Sequence, residues 1–512
     1  MKAKRLLSGL LAAGMLFGLT SCGSPAGQDS NSPSGNASEP VGTNSVAPAD
    51  PGQPEYGGTL TLSYNDFNTV FDPAMGEQYT YSLWLEYLFA PNWGLDDPEA
   101  YPFKTNSFTL DTAQGQIAES WKWDAETMTF TVTIRDDVYF QEKEEQYDIF
   151  HARNLTAEDV KYSYDRVTGL GSGFDESNMV VIDANWRDRL NMLESVEVLD
   201  TYVVAFHMNT ASETKLSEFV IAQVNITGPE WDTLTEDQKL DWHYACGTGP
   251  YMLTDYVADN HYTFIRNENY YDYDERYPEN KLPYLDSITL QLVADSTQVQ
   301  TQFMAGNLDI VAWGGNVLTR TEAQILEESM EEGSYTRYDF ASAPVGIGLK
   351  LTHPALADVN VRKAMQMAVN SEEIYTEYFG YEDMNLNMPG VWSLVTQYSS
   401  VDEWSQELKD SYYKYDPETA KQMLTDAGYP DGFTFDVTIF GALDADLFQL
   451  VADYLKQNLN VTMNISIANS PPEMQQIGKD LTNEVSIFVS GGQSRISQVQ
   501  AYFTADGREN ST

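Results

Sequence analysis

The chain has 512 residues, of which 29 are Lys or Arg and 77 are Asp or Glu, for a formal net charge of −48. That balance argues against nucleic acid, whose phosphates are held by Lys and Arg, and against peripheral attachment to anionic lipid. It suits a surface that stays soluble in crowded surroundings, on a chain long enough for two or three lobes with large cores.

The first segment reads as an address. Lys2, Lys4 and Arg5 precede an apolar run, Leu6 to Leu19, of 14 residues. The run is too short to span a bilayer and has the length of a signal-peptide core. Leu19-Thr20-Ser21-Cys22 follows and resembles the bacterial lipobox, which makes residues 1–21 a lipoprotein signal peptide and Cys22 the lipid-attachment point. Two or three acyl chains hold far better than one, and no other window has the ~18 consecutive apolar residues of a membrane helix. Membrane contact is expected through the lipid anchor only. Gly23 to Pro54 is rich in Ser, Gly, Pro, Asn and Ala. Such a stretch cannot bury enough surface to offset its ordering entropy, so residues 22–56 read as a disordered tether. With Cys22 lipidated, Cys246 is the remaining cysteine. It excludes an intrachain disulfide and reads as a buried structural thiol.

Order begins at Tyr56-Gly57-Gly58. Thr59 to Tyr64 alternates as a strand, and Met128 to Arg135 does so more cleanly. A first helix is read over Tyr81 to Phe89. Glu142 to Glu145 reads as a solvated loop. Thr156-Ala157-Glu158-Asp159 is a capped helix start, leading through Val160 and Tyr164 to Val167. Tyr202 to Met208, Ile288 to Val293 and Phe433 to Phe440 are further strands. Gln298 to Ala305 is helical, with Gly306-Asn307 as its stop, and Val359 to Val369 has helical spacing. Asp416-Pro417 supplies an N-cap and a first-turn proline, and Gly428 a C-terminal stop. Leu447 to Leu459 is amphipathic. Strands interleaved with helices predict α/β architecture.

Several segments, in order, resemble the family 5 extracellular solute-binding proteins, the dipeptide, oligopeptide and nickel binders of ABC importers. Gly57-Gly58-Thr59-Leu60-Thr61 resembles the family's opening strand, and Phe71-Asp72-Pro73-Ala74 its "LDP" loop. Ile117 to Trp121, Thr129 to Arg135 and Val138-Tyr139-Phe140 match "LAESW…TFxLRxxVxF". Leu155 to Ser163 nearly repeats "LTAEDVxYS". Gly247-Thr248-Gly249-Pro250-Tyr251 matches "GTGPY", and Arg266 to Tyr271 matches "RNxxYW". Pro283 to Ile288, Gly306 to Ile310, Val359 to Ala364 and Tyr415 to Lys421 follow in family order. Most of these residues are architectural: Gly247 and Gly249 permit positive φ or close backbone approach, and Pro250 fixes the turn.

The resemblance implies a bilobal periplasmic-binding-protein-like fold (class II, cluster C) with an extra subdomain in the first lobe. Lobe I is expected at 57–105 and 226–300, subdomain Ib at 106–225, lobe II at 301–488, and the start of a return to lobe I at 489–512. The family continues past the point where this chain stops, at Asn510-Ser511-Thr512, so a C-terminal truncation is expected. The implied function is a monomeric, lipid-anchored substrate-binding component. It captures peptides between two lobes closing by hinge motion, delivers them to ABC permease subunits, and needs no cofactor or metal. Its expected place is the outer face of the bacterial cytoplasmic membrane, or the periplasm where an outer membrane exists.

The resemblance also implies contacts. The loop before "YDPEKA" often places an aromatic in the cleft, which selects Trp392. Trp313 follows the crossing strand Asp309-Ile310-Val311, Trp93 follows the first helix, and Phe67 and Asn68 lie in the loop after the first strand. Trp121 and Trp123 belong to an architectural motif and are expected in a core. In peptide binders, a late "GWxxDxxDP" stretch supplies an aspartate for the ligand's α-amino group. The corresponding Phe488 to Arg495 has no acidic residue, and a buried ammonium without a counter-charge is costly. Ser490, Gly491, Gly492 and Gln493 offer neutral hydrogen bonds there. Beside tryptophans they would suit an oligosaccharide, which stands as the alternative ligand, with a metal chelate behind it.

An enzyme is the first rival reading. The chain has no Gly-x-Ser-x-Gly, His-Glu-x-x-His, Cys-x-x-Cys or Gly-x-Gly-x-x-Gly, and its histidines (His151, His207, His243, His261, His353) are scattered. A non-transporting sensor with the same cleft is the second.

Overall fold

The structure is a computed structural model. It describes residues 54–64, 71–74, 80–92, 110, 113–171, 190–293, 295–311, 318, 320–331, 333–337, 345–374, 376, 378, 404–412, 414–440, 445–468, 471–480 and 482–490.

In chain order the strands are β1 (Thr59–Tyr64), β2 (Phe89–Pro91), β3 (Ala113–Gly115), β4 (Ala118–Asp124), β5 (Thr129–Ile134), β6 (Leu193–Asp200), β7 (Val203–Met208), β8 (Tyr251–Val257), β9 (His261–Arg266), β10 (Tyr273–Asp274), β11 (Tyr277–Lys281), β12 (Ser287–Leu292), β13 (Val345–Gly348), β14 (Thr434–Phe440), β15 (Thr462–Ala468) and β16 (Ser486–Ser490). The longer helices are α1 (Ala157–Thr168), α2 (Glu213–Val220), α3 (Ser296–Met304), α4 (Arg320–Ser329), α5 (Val359–Met367), α6 (Gln406–Tyr412), α7 (Pro417–Asp426), α8 (Ala445–Leu459) and α9 (Pro471–Lys479).

Three four-stranded sheets organise these elements, each with its own core. The first has the order β1-β12-β9-β8, with β1 and β12 parallel. Leu62, Leu290, Phe264 and Leu253 turn inward from it onto Tyr81, Trp84 and Leu85. The second, β4-β5-β7-β6, is antiparallel throughout. In β5 the alternation puts Phe130, Val132 and Ile134 inside, where they share a core with Phe206, Phe219 and Tyr164 of α1. The third, β13-β16-β14-β15, carries parallel β14, β15 and β16 and an antiparallel β13. Phe435, Val437 and Ile439 pack there against Val361 and Ala364 of α5 and Phe448, Ala452 and Leu455 of α8.

Local signals explain the helix ends. Thr156 and Asp159 form a reciprocal capping box at the start of α1, and Gly169, at φ 73°, closes it. Asp416 Oδ1 accepts from Thr419 N–H at 3.1 Å to start α7, with Pro417 in its first turn. Gly306 and Gly428 take φ of 69° and 95° just after α3 and α7, the left-handed values that glycine tolerates.

The helix read over Tyr81 to Phe89 is corrected. Only Tyr81–Trp84 is helical, and Phe89 begins β2. The carbonyl of Trp84, which would accept the next helical hydrogen bond, accepts from Gly249 N–H instead, at 3.0 Å. Leu85 turns extended, and Leu88 O is taken by the N–H groups of Gln116 and Ala118. Gly247 and Gly249 serve by close approach: a Cβ on Gly247 would lie 2.1 Å from Trp84 O, and one on Gly249 would lie 2.7 Å from Trp84 C.

Candidate interlobe ligand site

In open α/β sheets, ligands bind beyond the carboxyl ends of the strands. Two such edges are described. At the first, β1 ends at Tyr64 beside β12, and Ile310 pairs with Leu62 in parallel on the other side. Asp309 secures that crossing: its N–H donates to Thr61 O and its Oδ2 accepts from Thr61 N–H, each at 2.8 Å. At the second, the parallel β14, β15 and β16 end at Phe440, Ala468 and Ser490, and the antiparallel β13 starts there, with Val345 opposite Ser490.

Several of the residues singled out from the sequence follow these edges in the chain. Phe67 and Asn68 come after β1, Trp313 after Ile310, and Gly491, Gly492 and Gln493 after β16. Of the whole set only Ser490, the last residue of β16, is described. Phe67, Asn68, Trp93, Trp313, Trp392, Gly491, Gly492 and Gln493 lie outside the described residues, as does Cys22, the residue expected from the sequence to carry lipid.

Sequence reasoning missed the buried Ser63 beside these edges and, although it placed Asp72 in a loop motif, missed that residue's ion pair. Ser63, near the end of β1, is fully buried with an unpartnered hydroxyl; its only signal is a small polar residue late in an apolar strand. Asp72, in the loop after β1, is clamped by Arg166 of α1 through two bonds, Nη1–Oδ1 at 2.6 Å and Nη2–Oδ2 at 2.7 Å. Asp72 also accepts from Ala74 N–H at 2.9 Å, and Asn225 Nδ2 donates to Pro73 O at 2.9 Å. Burial would push the Asp72 carboxyl up, but the Arg166 guanidinium and the Ala74 amide bring it below its ordinary value. A charged, doubly held carboxylate thus ties the segment Phe71 to Ala74 to helix α1.

Behind the second edge, Lys350 is fully buried. Its Nζ donates to Gly478 O at 2.6 Å and its N–H to Ser486 Oγ at 3.0 Å, tying α9 to β16. Burial lowers its pKa, opposed by the nearby Asp480. A cavity of about 330 Å³ lies beside α9 on the face of the third sheet, over Asp436, Thr438, Asn464 and Ser466. Its polar floor is internally paired, with Thr438 to Ser466 at 2.9 Å and Asn464 to Asp436 at 2.8 Å.

The expectations for Cys246, for Trp121 and Trp123 and for the acidic run met the structure directly. Cys246 is fully buried, its Sγ donates to Gln141 O at 3.2 Å, and burial pushes the thiol up to about 12. The Trp121 ring lies edge-on to Phe89 at 5.2 Å, and Trp123 packs on the same core. Glu142, Glu144 and Glu145 are exposed. Among the described residues, no cluster of three or more His, Cys, Asp or Glu is placed to hold a metal, and no helix is long and apolar enough to cross a membrane.

Known proteins are similar to this chain in architecture and, more distantly, in sequence. Heme-binding protein A of Haemophilus influenzae is 26% identical over 350 residues, covering 66% of this chain and 57% of that protein; the chain thus spans less than two thirds of that relative's length. The oligopeptide-binding protein AppA of Bacillus subtilis, solved with a nonapeptide, superposes with a TM-score of 0.63 at 17% identity, over 90% of this chain and 84% of that one. NikA of Brucella suis, solved with Fe(III)-EDTA, gives a TM-score of 0.66 at 18% identity, over 89% and 84%. The fold is that of the bilobal periplasmic binding proteins. The family described as "Bacterial extracellular solute-binding proteins, family 5 Middle" matches residues 112–510, and this chain belongs to it.

Proposed function

We propose that this chain is the substrate-binding component of an ABC importer, that it captures peptides between its two lobes, and that it performs no catalysis. The observation that carries the reading is the family match over residues 112–510. It is supported by a relative named as a dipeptide-binding protein in Escherichia coli and by the nonapeptide held by AppA. The lobe boundaries set out above, the contacts from Trp392, Trp313, Trp93, Phe67, Asn68 and Ser490 to Gln493, the monomeric state, anchoring through Cys22 and delivery to permease subunits are parts of the same proposal.

A second reading is favoured by one observation: Phe488 to Arg495 contains no acidic residue to meet a free α-amino group. A ligand without that group, such as an oligosaccharide or a metal chelate, fits this feature better. Thermal unfolding against peptide and oligosaccharide panels separates the two. Ligand at 100 times its Kd stabilises the fold by about 2.7 kcal/mol. A shift with peptides, abolished by Trp392→Ala, is expected; a shift with oligosaccharides alone replaces the first reading with the second. Turnover of either panel would end the non-catalytic reading.

A further inference from the structure

Two apolar cores meet where the chain leaves the Tyr81–Trp84 turn. Trp84 and Leu85 belong to the core of the β1 sheet, whereas Leu88 and Phe89 belong to that of the β4–β7 sheet. Glu86 stands between them with no exposed surface. Tyr270 and Tyr271 both donate to its Oε1, at 2.9 and 2.7 Å, and its backbone carbonyl accepts from Ile226 N–H at 3.0 Å. Among the described residues, neither Oε2 nor the Thr248 hydroxyl that adjoins the carboxyl has a partner in good hydrogen-bond geometry, although the two are near enough to interact.

Among the described residues, no cation compensates this group. The guanidinium of Arg135 lies 4.5 Å from the centre of the Tyr271 ring but is engaged by Asp137 at 2.9 Å, and the remaining charged neighbour, Asp272, is an acid. Burial opposes ionisation, the hydroxyls of Thr248, Tyr271 and Tyr270 favour it, and Asp272 opposes it again; the carboxyl is raised to about 7.

We propose that Glu86 is a pH-sensitive latch on this seam: as a neutral acid it donates from Oε2 to the Thr248 hydroxyl and joins the two cores, and as a carboxylate it loosens them. On ionisation the proton passes to solvent, and the Thr248 hydroxyl turns from acceptor to donor. An uncompensated charge then sits between two apolar cores, which is costly. Because the folded state holds this proton more tightly than the unfolded chain, the stabilisation is complete below the ordinary glutamate value. It is lost as pH rises through about 7. This inference is independent of what the cleft binds.

The test follows denaturant unfolding and amide exchange at Ile226 between acidic and mildly alkaline pH, for the wild-type chain and Glu86→Gln. The glutamine keeps the shape and donates to Thr248 without titrating. The wild type is expected to lose stability across the interval and to exchange faster at Ile226 above neutrality, beyond the intrinsic rise, while Glu86→Gln shows a flatter profile in both. Superimposable profiles, or a steeper one for the variant, overturn the latch. Should Glu86→Gln not fold, Thr248→Val removes the acceptor of the latch bond and is expected to speed exchange at Ile226 at acidic pH, where the wild-type latch is closed; an acidic rate equal to that of the wild type overturns the proposal equally.

Discussion

Asp72 and Glu86 are both carboxylates buried in the first part of the chain, yet they hold their protons oppositely. Asp72 faces a guanidinium through two short bonds and stays below its ordinary value, whereas Glu86 faces only hydroxyls and is raised to about 7. Burial is common to both, so the presence of a counter-ion decides the charge. The two also have different architectural uses. Asp72 anchors a loop to helix α1, and Glu86 joins two cores.

The comparison breaks most visibly at Arg166. Arg166→Ala leaves Asp72 buried and uncompensated and should cost about 3–5 kcal/mol in denaturant unfolding. Adding Asp72→Ala should recover part of that loss; strictly additive losses would mean that the pair is not coupled. The pH profile sharpens the contrast next. Asp72, depressed in the fold, contributes stability above the ordinary aspartate value that is lost as pH falls through its folded value. Glu86, raised from 4.5 to about 7, contributes about 3 kcal/mol that is lost as pH rises between those values. For these two groups the stability optimum therefore lies near the ordinary carboxylate values, and the difference between wild type and Glu86→Gln isolates the loss above them. A smaller effect is expected from Gly247→Ala, whose methyl would meet Trp84 O beside the seam and should cost about 1–3 kcal/mol as overpacking. The smallest is Thr156→Ala, which removes the cap of the helix that delivers Arg166 and should cost about 1 kcal/mol.

Much of the fold was legible because its signals are local. Alternation in Thr129 to Ile134, the Thr156 and Asp159 box, and Asp416-Pro417 with Gly428 each act within a few residues, and the elements they mark form within a residue or two of their expected ends. The overrun past Trp84 has the opposite cause. The apolar pattern there reads equally as helix, and the bond that stops it comes from Gly249, distant in sequence. Glu86 and Lys350 were illegible for a related reason. Their residue types signal a solvated surface, and only tertiary packing seals them. For the candidate site, order along the chain placed Phe67, Asn68, Trp313 and Ser490 to Gln493 after strands that end on carboxyl edges, but contacts between such loops are made by tertiary structure and leave no periodic trace in sequence.

The thiol of Cys246, next to Gly247 in this same packed region, gives the molecule a built-in gauge. Sealed inside and kept in its protonated form, it is inert to alkylating reagents while the surrounding structure is closed. The rate at which a maleimide marks it under native conditions therefore counts openings of that region, with no engineered label.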